Sequence, residues 1–160
     1  MKTYCHKPSA RIKKAFTAIE LVLVITLLAI FMGLALLYNQ STTVRTDLNT
    51  QVSLFVAELR LLQSNASSGK NPGDFGVHLD PNSYTLFEGD TYNVEDPLNR
   101  AILLPTTITI QNINLNGAGS EIIFSSPHGG TAQNGTLEFY SEPVDKITLI
   151  TITSLGNVTY

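Results

Sequence analysis

Hydrophobic positions divide the chain into parts with different periodicities. Residues 16–38 form an apolar run of 23 residues in which Glu20 is the only charged one. At about 1.5 Å per residue, a helix of this length measures roughly 34 Å, enough to cross the hydrocarbon core of a bilayer. The run therefore predicts a transmembrane helix over residues 16–38.

A helical period of three and four continues after this run. Its apolar positions are Val44, Leu48, Val52, Phe55, Leu59, Leu62 and Ala66. Charged residues occupy the other faces, as expected for a helix that packs one side on a core. Helix-ending residues follow at 67–73, where five of the seven residues are glycine, proline or serine. The pattern predicts that an amphipathic helix over residues 39–68 continues the first one.

Short β-rich runs separated by turn residues fill the rest of the chain. The predicted strands lie at 75–79, 83–87, 101–104, 107–111, 121–124, 135–140, 146–153 and 158–160. We therefore predict an α+β fold. A long N-terminal helix, with a transmembrane half and an amphipathic half, would pack on an antiparallel β domain over residues 69–160.

Charge is distributed unevenly along the chain. Residues 1–15 carry five basic residues and no acid, whereas residues 16–160 carry five basic residues and all thirteen acids. The basic leader before an apolar run predicts a cytoplasmic N-terminus, with the β domain across the membrane. The remaining net charge of −8 disfavours binding to a nucleic-acid backbone, so no nucleic-acid partner is expected.

Candidate metal ligands and catalytic groups are few. Cys5 is the only cysteine, which excludes an intramolecular disulfide and cysteine-paired metal sites. The polar loop 88–96 concentrates four carboxylates, but it does not match the spacing of an EF-hand, so a solvated loop is favoured over a calcium site. We expect neither metal nor cofactor.

Two histidines are candidate catalytic groups. His78 lies in a predicted strand and His128 in a Pro-His-Gly-Gly turn, and no recognised nucleophile motif accompanies either. The favoured interpretation is a polar strand face for His78 and a loop side chain for His128. The sequence predicts no enzymatic activity.

The N-terminal segment has two ordinary interpretations, a cleaved secretory signal and a plain membrane anchor. A cleaved secretory signal would need a shorter apolar run and a small-residue cleavage site after it, and residues 38–41 are poor in that respect. A plain membrane anchor explains the run and its basic flank. It does not explain Glu20, because an unpaired carboxylate in a membrane helix costs on the order of 2–3 kcal/mol or more.

The boundary between leader and apolar run carries a specific motif. The segment Lys13-Lys14-Ala15-Phe16-Thr17-Ala18-Ile19-Glu20 and the apolar residues after it resemble the processing segment of type IV pilins and pseudopilins. Two positions depart from the usual family pattern: Ala15 replaces glycine and Ala18 replaces leucine.

This resemblance implies a processing pathway and a role for each position. A prepilin peptidase would remove the cytoplasmic leader, residues 1–15, by cutting between Ala15 and Phe16. The new amine of Phe16 would then be N-methylated. Glu20 would be the subunit-docking residue, pairing with the Phe16 amine of a neighbouring subunit, and residues 16–38 would form the filament core.

Weaker cues in the β domain resemble the GspH/FimT-like minor pseudopilins. They are Phe75-Gly76-Val77, the segment 84–89, the segment 123–130 and the closing segment 150–158. The implied protein is a structural minor pseudopilin of a type II secretion pseudopilus or a related type IV filament. Its partners would be the prepilin peptidase, other pseudopilins or pilins, and the inner membrane.

The implied location is the inner (cytoplasmic) membrane, crossed once, with the C-terminal domain periplasmic or extracellular. Two alternatives stay open at this point. One is a minor pilin of a type IV or competence pilus. The other, from a different class, is a single-pass membrane-anchored binding domain.

Overall fold

The computed structural model describes residues 17–68 and 73–160, with residues 35–44 described as backbone only. The chain divides into two compact units, Met1–Asn39 and Gln40–Tyr160. The first α-helix, α1, spans Ala18–Ser68 and contributes residues to both units. Eight strands and one short 3-10 helix, Glu142–Val144, follow α1 in the described chain.

The strands form two antiparallel sheets, which defines an α+β fold. Sheet A has the order β3-β2-β1-β5, and its strands are β1 (Phe75–Asp80), β2 (Ser83–Glu88), β3 (Arg100–Leu103) and β5 (Glu121–Phe124). Sheet B has the order β4-β6-β7-β8, and its strands are β4 (Ile108–Leu115), β6 (Gly135–Ser141), β7 (Lys146–Ile152) and β8 (Val158–Thr159).

Strand positions follow the alternation of the sequence closely, but β4 is longer than predicted. The prediction ended this strand at Gln111, whereas β4 continues to Leu115. The pairing of β4 with β6 is irregular between Gln111 and Asn114, and Asn112 has a φ of 49°. A left-handed residue of this kind is typical of a β-bulge, which interrupts the alternation without ending the strand.

The amphipathic part of α1 packs on both sheets through its apolar face. The face contains the predicted positions from Leu48 onward, with Val56 in addition: Leu48, Val52, Phe55, Val56, Leu59, Leu62 and Ala66 are all buried. The Phe55 ring lies 4.9 Å from the Tyr84 ring of sheet A and 5.2 Å from the Phe139 ring of sheet B. One helix side chain thus joins the two sheets in a single core.

The predicted transmembrane half of the helix is not found. In the part of the chain that the structure describes, no helix is both long enough and apolar enough to cross a membrane.

Three sequence-based predictions are therefore wrong as made. They are the fold class with a transmembrane half, the description of the chain as a membrane protein with a transmembrane helix, and the single-pass inner-membrane location. The predicted leader, residues 1–15, lies outside the described residues.

Candidate subunit-docking surface

The first part of α1 exposes apolar side chains on every face. We call residues 18–34 the apolar segment. The exposed fraction of its large apolar side chains ranges from 45% at Val24 to 77% at Ile19. Consecutive positions are exposed, so every face of this segment carries exposed apolar side chains. A helix that is apolar all round is normally enclosed by other apolar groups.

The one hydroxyl of the apolar segment is satisfied inside the helix. Thr26 Oγ1 donates to the carbonyl oxygen of Val22 at 2.6 Å, with the carbonyl of Leu23 at 3.1 Å. A polar group that is already hydrogen-bonded avoids most of the cost of burial in apolar surroundings. The segment can therefore be enclosed without leaving the Thr26 hydroxyl unpaired.

Glu20 is the one charged residue of the apolar segment, and it lies in the first turn of α1. The backbone N–H groups of Glu20 and Leu21 both point back to the carbonyl oxygen of Thr17, at 3.1 and 3.3 Å. A carboxylate at this end of a helix is stabilised by the helix dipole. The Glu20 side chain is exposed, and no described basic group forms an ion pair with it.

The predicted cleavage and methylation sites cannot be placed next to Glu20. Ala15 and Phe16 lie outside the described residues. The cut between them and the methylation of the Phe16 amine stay predictions from the sequence. Of the three predicted site residues, Glu20 alone has a described position.

We call the second compact unit, Gln40–Tyr160, the globular unit. It contains two polar contacts that the sequence did not predict. One joins α1 to sheet A: Arg100 Nη2 lies 2.6 Å from Glu58 Oε2. Nearby, burial raises the pKa of the Tyr84 hydroxyl; the charge of Glu58 raises that pKa further, and Arg100 acts in the opposite direction. The ion pair thus fixes the edge strand β3 against the helix.

The second contact surrounds His78 on the side of sheet A that faces away from the core. His78 Nδ1 lies 3.3 Å from Glu121 Oε1, and His78 Nε2 lies 3.7 Å from Asp80 Oδ1. Tyr92, from the loop after β2, stacks on the His78 ring with 4.2 Å between the ring centres. An aromatic residue inside an acidic loop is the only sequence signal for this contact.

The acidic loop does not gather its carboxylates around a common point. Within the described ranges, no group of three or more histidine, cysteine, aspartate or glutamate side chains is placed to hold a metal ion. Asp96 Oδ1 instead accepts a hydrogen bond of 2.9 Å from the backbone N–H of Leu98. This carboxylate therefore shapes the loop. His128 is exposed in the loop after β5 and is not among the residues that contact His78 in the contacts given above.

Comparisons with known proteins give no assignment. No family model matches the chain, and neither a curated protein nor a solved structure is significantly similar to it. Functional inference therefore depends on the residues and their geometry.

Proposed function

We propose that this chain is a structural subunit, of the minor pseudopilin kind, in a type II secretion pseudopilus or a related type IV filament. The exposure of the apolar segment on all its faces carries this proposal. So much apolar surface in contact with water is unfavourable, at about 25 cal/mol per Å². A bundle of such helices from neighbouring subunits would enclose the segment, and Thr26 is already satisfied for that environment.

The charge of Glu20 would favour one register between neighbouring helices in such a bundle. Removing a lone carboxylate from water costs several kcal/mol, whereas a carboxylate paired with an ammonium group is tolerated. The partner would be the Phe16 amine of the next subunit, created when a prepilin peptidase removes residues 1–15. Subunits would then dock where each Glu20 meets an amine.

The globular unit would have a structural role in the filament. Its apolar core is continuous from α1 to both sheets, as expected for a stable structural subunit. Its partners would be other pilins or pseudopilins.

The mass of the mature protein tests the processing step. The chain is expressed with and without an active prepilin peptidase, and the N-terminal peptide is identified by mass spectrometry. We expect an N-terminus at Phe16, carrying a methyl group, only when the peptidase is active. An intact leader in the presence of the active peptidase, or a start near Ser41, would contradict the proposal.

Cross-linking tests the bundle. Because Cys5 lies in the leader, a chain that begins at Phe16 contains no other cysteine, and any introduced one is unique. We expect Val24→Cys to give subunit-to-subunit disulfides in cells that assemble the filament. Leu103→Cys, at a globular position that is 80% exposed, is the matched control for random collision. Equal or weaker cross-linking at residue 24 would argue against a helical core.

A further inference from the structure

The loop between β2 and β3, residues 89–99, is organised by its own hydrogen bonds. We call it the strap. The carbonyl oxygen of Asn93 accepts from the backbone N–H of Asp96 at 3.1 Å and from Asn99 Nδ2 at 2.6 Å. Asn93 Oδ1 accepts from the N–H of Glu95, also at 3.1 Å. These bonds hold residues 93–99 in one shape independently of the sheet.

The strap touches the outer side of sheet A mainly through one aromatic ring. Tyr92 stacks on His78 with 4.2 Å between ring centres and an angle of 13° between the rings, and it lies 5.5 Å from the Phe87 ring. The other large apolar side chains of the strap, Val94 and Leu98, are 76% and 67% exposed. Tyr92 is therefore the principal apolar attachment of the middle of the strap.

His78 is held in place for this contact by its neighbours in the sheet. The strand register pairs His78 with Thr85 on one side and with Glu121 on the other. The Glu121 carboxylate at 3.3 Å from Nδ1 orients the ring, and Asp80 lies beyond Nε2. One ring face is thus presented to Tyr92.

The strap covers an aromatic residue that does not belong to the core. Phe87 points to the outer side of sheet A, because the core-facing positions of β2 are Tyr84 and Leu86. It is nevertheless only 3% exposed. Its ring lies over Gly76, where a Cβ atom would overlap it, and beneath Tyr92. Lifting the strap would expose the Phe87 ring to solvent.

The ends of the strap allow such a movement. Its first residue, Gly89, has a φ of 121° and donates a hydrogen bond of 2.8 Å to the carbonyl oxygen of Asp74. Its last residue leads directly into β3, which pairs with β2. Both ends are anchored by backbone, so the middle can move without disturbing either sheet.

We propose that residues 89–99 open and close as one unit over the outer side of sheet A, and that the stacking of Tyr92 on His78 is the latch. The closed state is the one described above. In the open state, the Phe87 ring is exposed to solvent. This inference does not depend on the proposed filament function.

Fluorescence of a single introduced tryptophan tests the latch, because the natural chain contains none. In full-length protein carrying Tyr92→Trp, we expect an indole shielded from acrylamide. Adding His78→Ala should increase quenching roughly three- to tenfold, the range that corresponds to one aromatic pair. His128→Ala, which removes an exposed histidine elsewhere, is the matched control and should change nothing. Equal quenching in all three proteins would overturn the proposal.

Hydrogen exchange separates opening of the strap from general unfolding. In full-length Tyr92→Ala, amides of residues 89–99 should exchange faster together, while those of α1 and sheet B keep their wild-type rates. Faster exchange across both sheets would show that the strap is not an independent unit, and unchanged exchange in the strap would show that Tyr92 does not hold it. Either result would refute the inference.

Discussion

The side-chain amide of Gln63 donates a hydrogen bond of 3.0 Å to the carbonyl oxygen of Leu155, which ties the end region of α1 to the loop between β7 and β8. The next residue, Gly156, is buried and has a φ of 83°. A Cβ atom there would overlap the carbonyl oxygen of Gly129 and the Gln63 amide. The helix and two loops therefore meet where glycine is required.

We predict that Gly156→Ala destabilises the globular unit by about 2–4 kcal/mol, because it combines left-handed backbone strain with steric overlap. Gly119→Ala is the matched control, since the nearest heavy atom to its Cβ would be 3.9 Å away. Urea unfolding followed by circular dichroism measures both. Similar midpoints for the two variants would contradict this account of the junction.

A second prediction concerns a hydroxyl in the core. Ser141 is fully buried, and its Oγ has no hydrogen-bond partner among the described residues. An unpaired buried polar group is costly, so Ser141→Ala should leave stability unchanged or raise it by up to about 1 kcal/mol.

Thr131 supplies the comparison for Ser141. It is also buried, but its hydroxyl donates to Gln133 Oε1 and accepts from the Gln133 N–H, both at 3.1 Å. Thr131→Ala should cost about 1–3 kcal/mol because it leaves bonded groups unpaired. The idea fails if the two alanine variants lose stability equally in the same urea titration.

A third prediction concerns alkaline pH. Burial, with help from Glu58, raises the pKa of Tyr84 in the folded protein above its ordinary value of 10.0. Above pH 10 the unfolded chain therefore loses this proton before the folded chain does, and stability falls as the pH rises further. Below pH 10 both states keep the proton, and this group contributes no pH dependence.

Tyr84→Phe should remove part of that alkaline loss. The difference in slope between the variant and the wild type is at most about 1.4 kcal/mol per pH unit, the value for one proton. Urea midpoints measured at several pH values up to the alkaline range give the slopes. If Tyr84→Phe keeps the wild-type slope, the assignment of the alkaline loss to Tyr84 is incorrect.

A fourth prediction follows from the proposed function. Glu20→Ala should lower incorporation into filaments roughly tenfold or more, because the docked amine of the neighbour would be left as an unpaired buried charge. Glu88→Ala removes an exposed acid from the globular unit and should assemble normally. The amount of each variant in sedimented filaments, at matched expression, is the measurement. Normal assembly of Glu20→Ala would exclude the docking role.

Local periodicity explains which parts of the fold could be predicted. Buried positions from Leu48 to Ala66 follow the helical repeat, and the strands follow alternation, because each element must turn one apolar face to a core. Val56 is buried at the margin of the helical face, beyond the strict repeat. The extension of β4 past Asn112 was missed because a bulge shifts the alternation by one residue.

The candidate site was predicted from a motif that is contiguous in sequence, and its roles stay predictions. The docking role of Glu20 rested on the resemblance of residues 13–20 to the pilin processing segment; the structure places Glu20 in the first turn of α1 and does not test that role. The length of an apolar run alone, however, led to a transmembrane helix that the described chain does not contain.

The sequence by itself determined the order of elements and the faces that they bury, because both depend on neighbours within a few residues. Only the tertiary structure decided which distant side chains meet. Tyr92 reaches His78 because the turn between β1 and β2 brings the two strands side by side and the strap folds back over them. Glu58 meets Arg100 because α1 packs against the edge of sheet A. Such contacts depend on the path of the whole chain, which no local pattern encodes.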